Sequence, residues 1–256
     1  MLAWVDRRGT VSPISLAPGT YGNPSLSPNG RHIALSVRDQ AGEHIWVYDN
    51  ERGTLSKRTF ESTNSYPIWS PDGSLLTYSA GVAQAGPVMQ VAADGSGPST
   101  VLVSSEQLPG QKIAISWSAD GALAFQSGQD VMVRDRDGKL HQTLKTPAFE
   151  REARFSSSGR WLAYRSNETG RDEVYVQSYP PGNGNWQIST QGGAQPMWGA
   201  DGKELFYKNG NALMVPSRYG VMKDSQRFLV TTSERVESTE SPVNVILNWR
   251  GVLGRP

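Results

Sequence analysis

The fold is decided by the stretch FSSSGRWLAYRSNETGRDEVYVQ, residues 155–177. It reads as a short apolar strand, a tight turn ending at Gly159, an alternating strand, a polar loop and a third strand that also alternates. Alternation of apolar and polar side chains with a period of two is typical of a strand with one buried face. Strands joined by such short connections pair antiparallel. The stretch therefore predicts most of one antiparallel sheet.

Similar turns recur along the chain, each made of an apolar residue, a turn and a glycine. The glycines are 43, 48, 38 and 43 residues apart, at Gly30, Gly73, Gly121, Gly159 and Gly202. A period of about 40 to 45 residues is typical of a four-stranded propeller blade, whereas helical-pair repeats have periods of about 34. A degenerate sixth copy, residues 221–225, has Ser225 where the glycine is expected. We therefore expect one β-propeller domain over residues 1–256, with repeat turns near 28–30, 71–73, 119–121, 157–159, 200–202 and 223–225.

The composition of these turns follows from their backbone. Proline presets the φ angle of a type I turn, aspartate or asparagine bonds its own backbone, and glycine adopts positive φ without a steric cost. Asp72, Asp120 and Asp201 recur at the same turn position. We therefore interpret them as structural residues and not as ligands or catalytic carboxylates.

Period-2 strands follow each turn. We expect second strands at 32–37, 75–79, 123–127, 161–165 and 204–208, third strands at 45–49, 88–91, 131–134, 174–177 and 213–215, and outer strands at 55–60, 100–103, 142–144 and 186–189. No segment has helical periodicity over 11 or more residues. The fold class is all-β, a β-propeller of four-stranded antiparallel blades.

The two chain ends are suited to closing the ring. Residues 2–7 resemble a third strand without a first or second strand before it, and residues 227–230 resemble a second strand. Closure removes unpaired sheet edges, so we expect the ends to share one blade and to give six blades. The late strand 243–249 competes for the same place, which leaves five blades plus extra strands, or an incomplete ring, as alternatives. The stretch from Pro216 to Tyr219 is too short for an outer strand, so the blade that contains 204–208 is expected to have three strands.

Composition excludes several classes of function. The net charge is +1 and the chain has no cysteine, so neither a nucleic-acid partner nor a thiolate metal site is expected. No apolar run is long enough to span a membrane, and no signal peptide is visible in this chain. We expect a monomer, and the motifs imply no cofactor.

Catalytic motifs are absent from the sequence. There is no Gly-x-Ser-x-Gly elbow, and Gly95-Ser96-Gly97 fits a hairpin turn. The three histidines, His32, His44 and His141, lack ligand spacing and are interpreted as structural. A pore-centred hydrolase or lyase that uses carboxylates and Ca²⁺, built from Glu150, Glu152 and Asp39, is the alternative.

The repeats resemble the TolB-type, WD-like propeller family of bacteria. The resemblance is carried by Trp69-Ser70-Pro71-Asp72-Gly73, residues 45–49 and residues 167–171. Residues 174–177, 186–189, 203–207 and 247–249 are more narrowly similar to propellers at the C-terminal end of bacterial serine/threonine kinases. The resemblance implies a non-catalytic binding or sensory module in the periplasm or outside the cell. The chain itself has no kinase motif.

A binding site is expected on the propeller face where the loops that enter first strands meet those that join second to third strands. The candidate residues for a protein or small ligand are Tyr21, Asn23, Tyr66, Arg151, Glu152, Glu168, Arg171 and Gln195. Aromatic and arginine side chains on loops are frequent interface anchors. The structural alternative has the tyrosines packing on prolines and Arg151 pairing with Glu168 or Glu152. The eight tryptophans are expected to pack between blades.

Overall fold

A computed structural model describes residues 2–17, 19–61, 63–144, 146–182, 184–209, 220–231 and 244–247. Its 23 strands form five four-stranded antiparallel sheets and one three-stranded sheet. The fold is thus an all-β propeller of four-stranded blades. The described residues contain one three-residue 3-10 turn, Val82–Gln84, and no α-helix.

Four blades follow one another along the chain, and in each the first strand is innermost. Their strands are β3 Thr20–Leu26, β4 His32–Asp39, β5 Gly42–Asp49 and β6 Thr54–Lys57; β7 Asn64–Trp69, β8 Leu75–Ala80, β9 Val88–Ala92 and β10 Thr100–Val103; β11 Lys112–Trp117, β12 Leu123–Ser127, β13 Asp130–Arg134 and β14 Leu140–Gln142; and β15 Glu150–Phe155, β16 Trp161–Ser166, β17 Glu173–Ser178 and β18 Asn185–Gln187. We number them blades 1 to 4. Every second and third strand predicted in these blades is present.

Outer strands differ from the prediction in three blades: the strand predicted at 142–144 in blade 3 is β14 Leu140–Gln142, and those of blades 1 and 4 are shorter than predicted. The predicted strand 55–60 ends at Lys57, and the predicted strand 186–189 ends at Gln187. The hydroxyls of Thr59 and Ser189 accept the amide hydrogens of Ile45 and Val174 at 2.9 and 2.8 Å. A side chain therefore takes the place of the next backbone acceptor, and the strand ends.

The chain ends share one sheet, as predicted. β1 Leu2–Asp6 pairs with β22 Arg227–Thr231, and β2 Val11–Pro13 and β21 Gly220–Val221 complete the order β2-β1-β22-β21, which we call the closing blade. Each inner strand contacts the next around the axis, and β21 contacts both β19 and β3. The described strands therefore form a closed ring.

The three-stranded sheet consists of β19 Ala194–Trp198, β20 Glu204–Lys208 and β23 Asn244–Leu247. The blade containing 204–208 has the predicted number of three strands among the described residues, with β23 as the third of them. The predicted third strand 213–215 and the stretch 216–219 lie outside them. The late strand was expected to compete for the closing blade, which was wrong, because β23 pairs with β20.

The repeat turns have the predicted geometry, including the degenerate copy. Ser225 has φ 56° and donates its amide to the carbonyl of Met222 at 2.8 Å, as Gly73 does to Ser70 at 2.9 Å. A serine therefore adopts the left-handed conformation that glycine takes in the other copies.

Tryptophans join successive blades. The indole nitrogens of Trp69 and Trp198 donate to the backbone carbonyls of Ser25 and Arg154, at 2.9 and 2.8 Å. The indole of Trp117 donates to the hydroxyl of Thr77 at 3.1 Å. Trp69 also packs in a core cluster with Ala34 and Ile45 of blade 1. The predicted packing of tryptophans between blades is confirmed for these residues.

Candidate functional site

The inner strands begin with bulges at which four non-glycine residues have positive φ. These are Asn23, Tyr66, Glu152 and Gln195, with φ of 49°, 57°, 59° and 54°. All four are predicted site residues, and each lies where the ladder to the second strand shifts register. Positive φ is uncommon for residues with a Cβ and is held only where surrounding structure enforces it. We call these four residues the bulge ring.

Proline accounts for the break in the ladder at three of these four positions. Asn23, Tyr66 and Gln195 each precede a proline. Proline has no amide hydrogen for the ladder and is found in sheets mainly at edges or bulges. It also disfavours helical φ and ψ in the residue before it, so the left-handed conformation must be stabilised from elsewhere.

Hydrogen bonds within the same blade and to the neighbouring blade provide that support. The amide of Tyr66 and the Nδ2 of Asn23 both donate to the hydroxyl of Ser36, each at 3.3 Å. The amide of Gln195 donates to Oε2 of Glu152 at 2.6 Å, which links β19 to β15. Part of the bulge ring therefore has a structural role in docking one blade on the next.

Other polar atoms of the ring are buried without a partner. Asn23 is 8% exposed, and its Oδ1 has no hydrogen bond among the described residues. The same holds for Oε1 of Gln195 and Nε of the adjacent Arg151. A buried polar atom without a partner costs free energy unless water or a ligand satisfies it. The two amide oxygens can therefore accept a hydrogen bond from a bound molecule, and Nε of Arg151 can donate one to it.

Glu152 lies among basic groups. Its Oε1 is 3.5 Å from Nη1 of Arg165, which also pairs with Asp172. Burial lowers the pKa of Lys208, and the nearby Glu152 carboxylate opposes that shift. The structural alternative had Arg151 pairing with Glu168 or Glu152; in the described residues Arg151 instead lies 5.2 Å from the ring centroid of Phe149, and Glu152 contacts Arg165.

The remaining predicted residues make local contacts. Tyr21 donates its hydroxyl to the carbonyl of Ala17 at 2.6 Å, and burial raises the pKa of that phenol. Arg171 donates to Oε1 of Glu173 at 2.8 Å and to the carbonyl of Thr190 at 2.5 Å. Glu168 is exposed in the same loop. These three side chains lie around the bulge ring but are not part of it.

The three carboxylates of the enzymatic alternative have different partners. Glu150 accepts a hydrogen bond from the hydroxyl of Thr146 at 2.5 Å, and Asp39 lies 4.0 Å from the Lys57 ammonium. Glu152 is held by Gln195 and Arg165. Within the part of the chain that the structure describes, no three acidic, histidine or cysteine side chains form a group suited to a metal ion.

Exposed apolar side chains on the same face were missed by the sequence analysis. Of the four large exposed hydrophobic side chains in the described ranges, Phe60, Val82 and Phe149 are 73%, 80% and 37% exposed. Each lies on a loop that enters an inner strand or joins a second strand to a third. The fourth, Val101, lies on the outer strand β10. Phe60 and Val82 belong to the loops of blade 2 and Phe149 to the loop that enters blade 4; we call these three residues, which share one face, the apolar patch.

The loop that carries Val82 is held tightly. A Cβ at Gly81 would lie 2.7 Å from the amide nitrogen of Gly86, so both loop ends need glycine. Gln84 donates to the hydroxyl of Ser65 at 3.2 Å and accepts from Nε2 of Gln111 at 3.0 Å. Val82 is therefore presented on a braced loop. The two loop glycines are the sequence signal that could have indicated it.

No helix in the described ranges has the length and apolar character that a bilayer crossing requires.

Comparison with known proteins identifies the architecture. No family model and no curated protein matches the chain. The structure is similar to a protein assigned as TolB from Agrobacterium tumefaciens, with 18% identity, 84% of this chain and 80% of that chain covered, and a TM-score of 0.70. It is also similar to TolB from Acinetobacter baumannii, with 17% identity, 91% and 64% covered, and a TM-score of 0.67.

An enzyme has the same architecture. Oligogalacturonate lyase from Vibrio parahaemolyticus matches with 10% identity, 98% of this chain and 83% of that chain covered, and a TM-score of 0.60. At these identities the similarities concern the fold alone. The chain has a TolB-like β-propeller fold, and it spans less than two thirds of the Acinetobacter protein.

Proposed function

We propose that this chain is a non-catalytic binding or sensory module that holds a protein or small ligand on the face where the inner strands begin. One observation carries the proposal: the apolar patch lies on the same face as the bulge ring. Exposed apolar side chains gathered on one face of a folded protein are typical of interaction sites. We expect the predicted residues of this face to take part in the same site: Tyr21, Asn23, Tyr66, Arg151, Glu152, Glu168, Arg171 and Gln195.

The chemistry of the patch favours a protein partner. Lys57 lies 5.9 Å from the ring centroid of Phe60, as Arg151 lies 5.2 Å from that of Phe149. An exposed aromatic ring beside a cation provides apolar area together with a polar rim, the combination found at interface anchors. Because the Val82 loop is braced, binding loses little conformational entropy there.

The larger context follows from the same proposal. Residues 1–256 constitute one propeller domain, in which the three-stranded sheet is a sixth, incomplete blade. The resemblance of its repeats to propellers of bacterial serine/threonine kinases supports a sensory role in a protein of that kind. It also supports a periplasmic or extracellular position. We expect the module to act as a monomer without a nucleic-acid partner.

The enzymatic alternative is a pore-centred hydrolase or lyase. The lyase from Vibrio parahaemolyticus supports it through the shared fold only. Glu150, Glu152 and Asp39 have separate partners, which favours the binding module.

The test selects peptides from a random phage-displayed library on the wild-type protein and measures their binding to two variants. In the first variant Phe60, Val82 and Phe149 are each replaced by serine. In the matched control Val101, which is 54% exposed on an outer strand, is replaced by serine. We expect most selected peptides to lose at least about tenfold in affinity for the triple variant, since each anchor contributes about 1 kcal/mol or more.

Peptides that bind the triple variant as tightly as wild type would refute the proposed face. So would failure to select any peptide that saturates. Near-UV circular dichroism of both variants provides the control for folding. The substitutions are on exposed side chains, so we expect unchanged spectra.

A further inference from the structure

A cavity of about 520 Å³ lies at the opposite end of the inner strands, where each strand runs into its repeat turn. All six inner strands contribute to its wall at the same repeat position: Ser25, Ile68, Ser116, Arg154, Met197 and Gly220. No member of the bulge ring is among its described lining residues. The cavity is therefore a separate place from the face proposed above.

Part of the wall of this axial cavity is formed by aromatic residues. Trp69, Trp117 and Phe155 come from three successive blades and line it together with Ile68 and Ile115. Pockets for small molecules usually have volumes of roughly 300 to 1,000 Å³ and mainly apolar walls. The size and the flat aromatic surfaces suit a small molecule with an apolar, planar body.

The residues at the rim of the cavity are uncharged in five of the six repeats and charged in the sixth. Each of the six turns places the residue at its third position at the mouth of the cavity. These residues are Pro28, Pro71, Ala119, Ser157, Ala200 and Lys223. Five of these are uncharged, and Lys223 belongs to the degenerate sixth turn. A repeat position that breaks its own pattern is where a functional residue is expected.

The charged residues among the described lining are both basic. They are Arg154 in the wall and Lys223 at the rim, and no aspartate or glutamate is among them. The guanidinium of Arg154 donates to the carbonyl of Ile115, which fixes its position at the wall.

The acidic residues of the same turns lie outside the lining. Asp72 accepts hydrogen bonds from the hydroxyl of Ser70 at 2.6 Å and from the amide of Ser74 at 3.0 Å. Asp224 accepts one from the amide of Gln226 at 2.9 Å. Their carboxylates are thus engaged by their own turns, while the basic groups line the space itself.

We propose that this axial cavity binds a small organic anion with a flat apolar body, of the aromatic carboxylate or sulfonate class. The body lies against Trp69 and Trp117, and the anionic group is held by Arg154 and Lys223. Hydrogen bonds from charged donors to an anion are stronger than neutral ones, so the anionic group provides most of the selectivity.

The test compares two fluorescent probes that differ only in charge. 8-Anilinonaphthalene-1-sulfonate has an anionic group, and N-phenyl-1-naphthylamine has the same aromatic body without it. We expect saturable binding of the sulfonate, at least about tenfold tighter than that of the neutral probe. Equal affinities for the two probes, or no saturable binding of the sulfonate, would overturn the proposal.

Two charge-reversal variants locate the site. Lys223→Glu changes the rim, and Lys203→Glu changes an exposed lysine on a neighbouring turn that does not line the cavity. We expect Lys223→Glu to weaken sulfonate binding about fivefold or more without affecting the neutral probe, and Lys203→Glu to change it less than twofold. Equal losses in both variants would assign the effect to the general charge of this face and refute the site.

A further variant separates this cavity from the apolar patch, to which the same probe could adhere. Ala119→Trp adds a large side chain at the rim and is expected to weaken both probes. The triple serine variant of Phe60, Val82 and Phe149 is expected to bind the sulfonate like wild type. Loss of binding in the triple variant with retention in Ala119→Trp would place the anion on the other face and contradict the proposal.

Discussion

At the two ends of the inner strands, the pKa of a carboxylate is shifted in opposite directions. At the start of β15, Glu150 is 1% exposed, and burial raises its pKa. At the end of β7, hydrogen bonds from Ser70 and Ser74 lower the pKa of Asp72 to about 2. The first carboxylate is buried and accepts a hydrogen bond from Thr146 in the loop before its strand, and the second is stabilised by a turn that a few consecutive residues form.

The conformation at one end of each inner strand depends on contacts with other strands and blades, whereas the turn at the other end is stabilised by its own residues. At the turns, local residues make their own hydrogen bonds, and the same geometry recurs even with Ser225 in place of glycine. At the starts, Tyr66 depends on Ser36 and Gln195 depends on Glu152, each in the preceding blade, while Asn23 bonds Ser36 within its own blade. Changes at the starts should therefore weaken the contacts between blades, whereas changes at the turns should have local effects.

The largest expected effect is that of Glu152→Ala. The change leaves the Gln195 amide without its acceptor and Arg165 without one of its carboxylates, so we expect a loss of about 2 kcal/mol in the free energy of unfolding. Glu152→Gln retains an acceptor oxygen and should lose about half as much. Urea denaturation measures both. An unchanged midpoint for Glu152→Ala would mean that the bulge contact contributes nothing to docking of the blades.

A second prediction uses the raised pKa of Glu150. A folded-state pKa above the ordinary value contributes stability below about pH 4.5 that is lost as the pH rises through the folded pKa. Glu150→Gln removes the buried charge and should therefore stabilise the protein at pH 7 by about 1 kcal/mol, an increment typical of such substitutions. The difference should vanish near pH 4. Thermal unfolding at both pH values decides the point, and a destabilised variant at pH 7 would contradict it.

The smallest expected effect is that of Asp72→Asn, for which the chain provides its own reference. Asn29 occupies the equivalent turn position and accepts from the hydroxyl of Ser27 at 2.7 Å and the amide of Arg31 at 3.0 Å. We expect a change within about 0.5 kcal/mol at pH 7, because Asp72 is solvent-exposed and its charge is screened.

The pH dependence of that variant has the opposite sign. A lowered folded-state pKa contributes stability above about pH 3.8 that is lost as the pH falls towards 2. Asp72→Asn should therefore reduce the sensitivity to acid in this range, whereas Glu150→Gln acts at neutral pH. Identical acid unfolding curves for wild type and Asp72→Asn would exclude a role of this carboxylate in acid stability.

The turns and strands that depend on residues close together in the chain could be predicted from the sequence. The turn Ser70-Pro71-Asp72-Gly73 and the flanking strands could be predicted because their patterns are local. The pairing of β1 with β22 was predicted from the requirement that a ring have no open edge. Asn23, Tyr66, Glu152 and Gln195 were selected as loop residues, but their common left-handed conformation was not foreseen.

The rest depends on contacts between distant residues. A bulge at Tyr66 requires the hydroxyl of Ser36, which lies 30 residues earlier. The sequence offers two candidate strands, 213–215 and 243–249, for pairing with β20. Their similar periodicities do not indicate which of them pairs, and the observed partner is β23. The exposure of Phe60 and Val82 depends on how whole blades pack, which the alternation of residues along a single strand does not reveal.

A single disulfide between β1 and β22 tests most directly whether these two strands close the ring in one blade. Ala3 lies opposite Val230 in the β1–β22 ladder, and the native chain has no cysteine. Side chains directly opposite in an antiparallel pair lie on one face of the sheet, within reach of a disulfide. The matched control pairs Ala3→Cys with Leu229→Cys, one residue out of register and therefore on the other face.

Mass spectrometry after mild oxidation reports the bond. The account predicts that Ala3→Cys with Val230→Cys loses two hydrogens, forms the disulfide in the monomer and unfolds at a higher temperature than its reduced form. It predicts that the out-of-register pair remains reduced. A Val230 pair that stays reduced, or two pairs that oxidise equally, would contradict the closed ring.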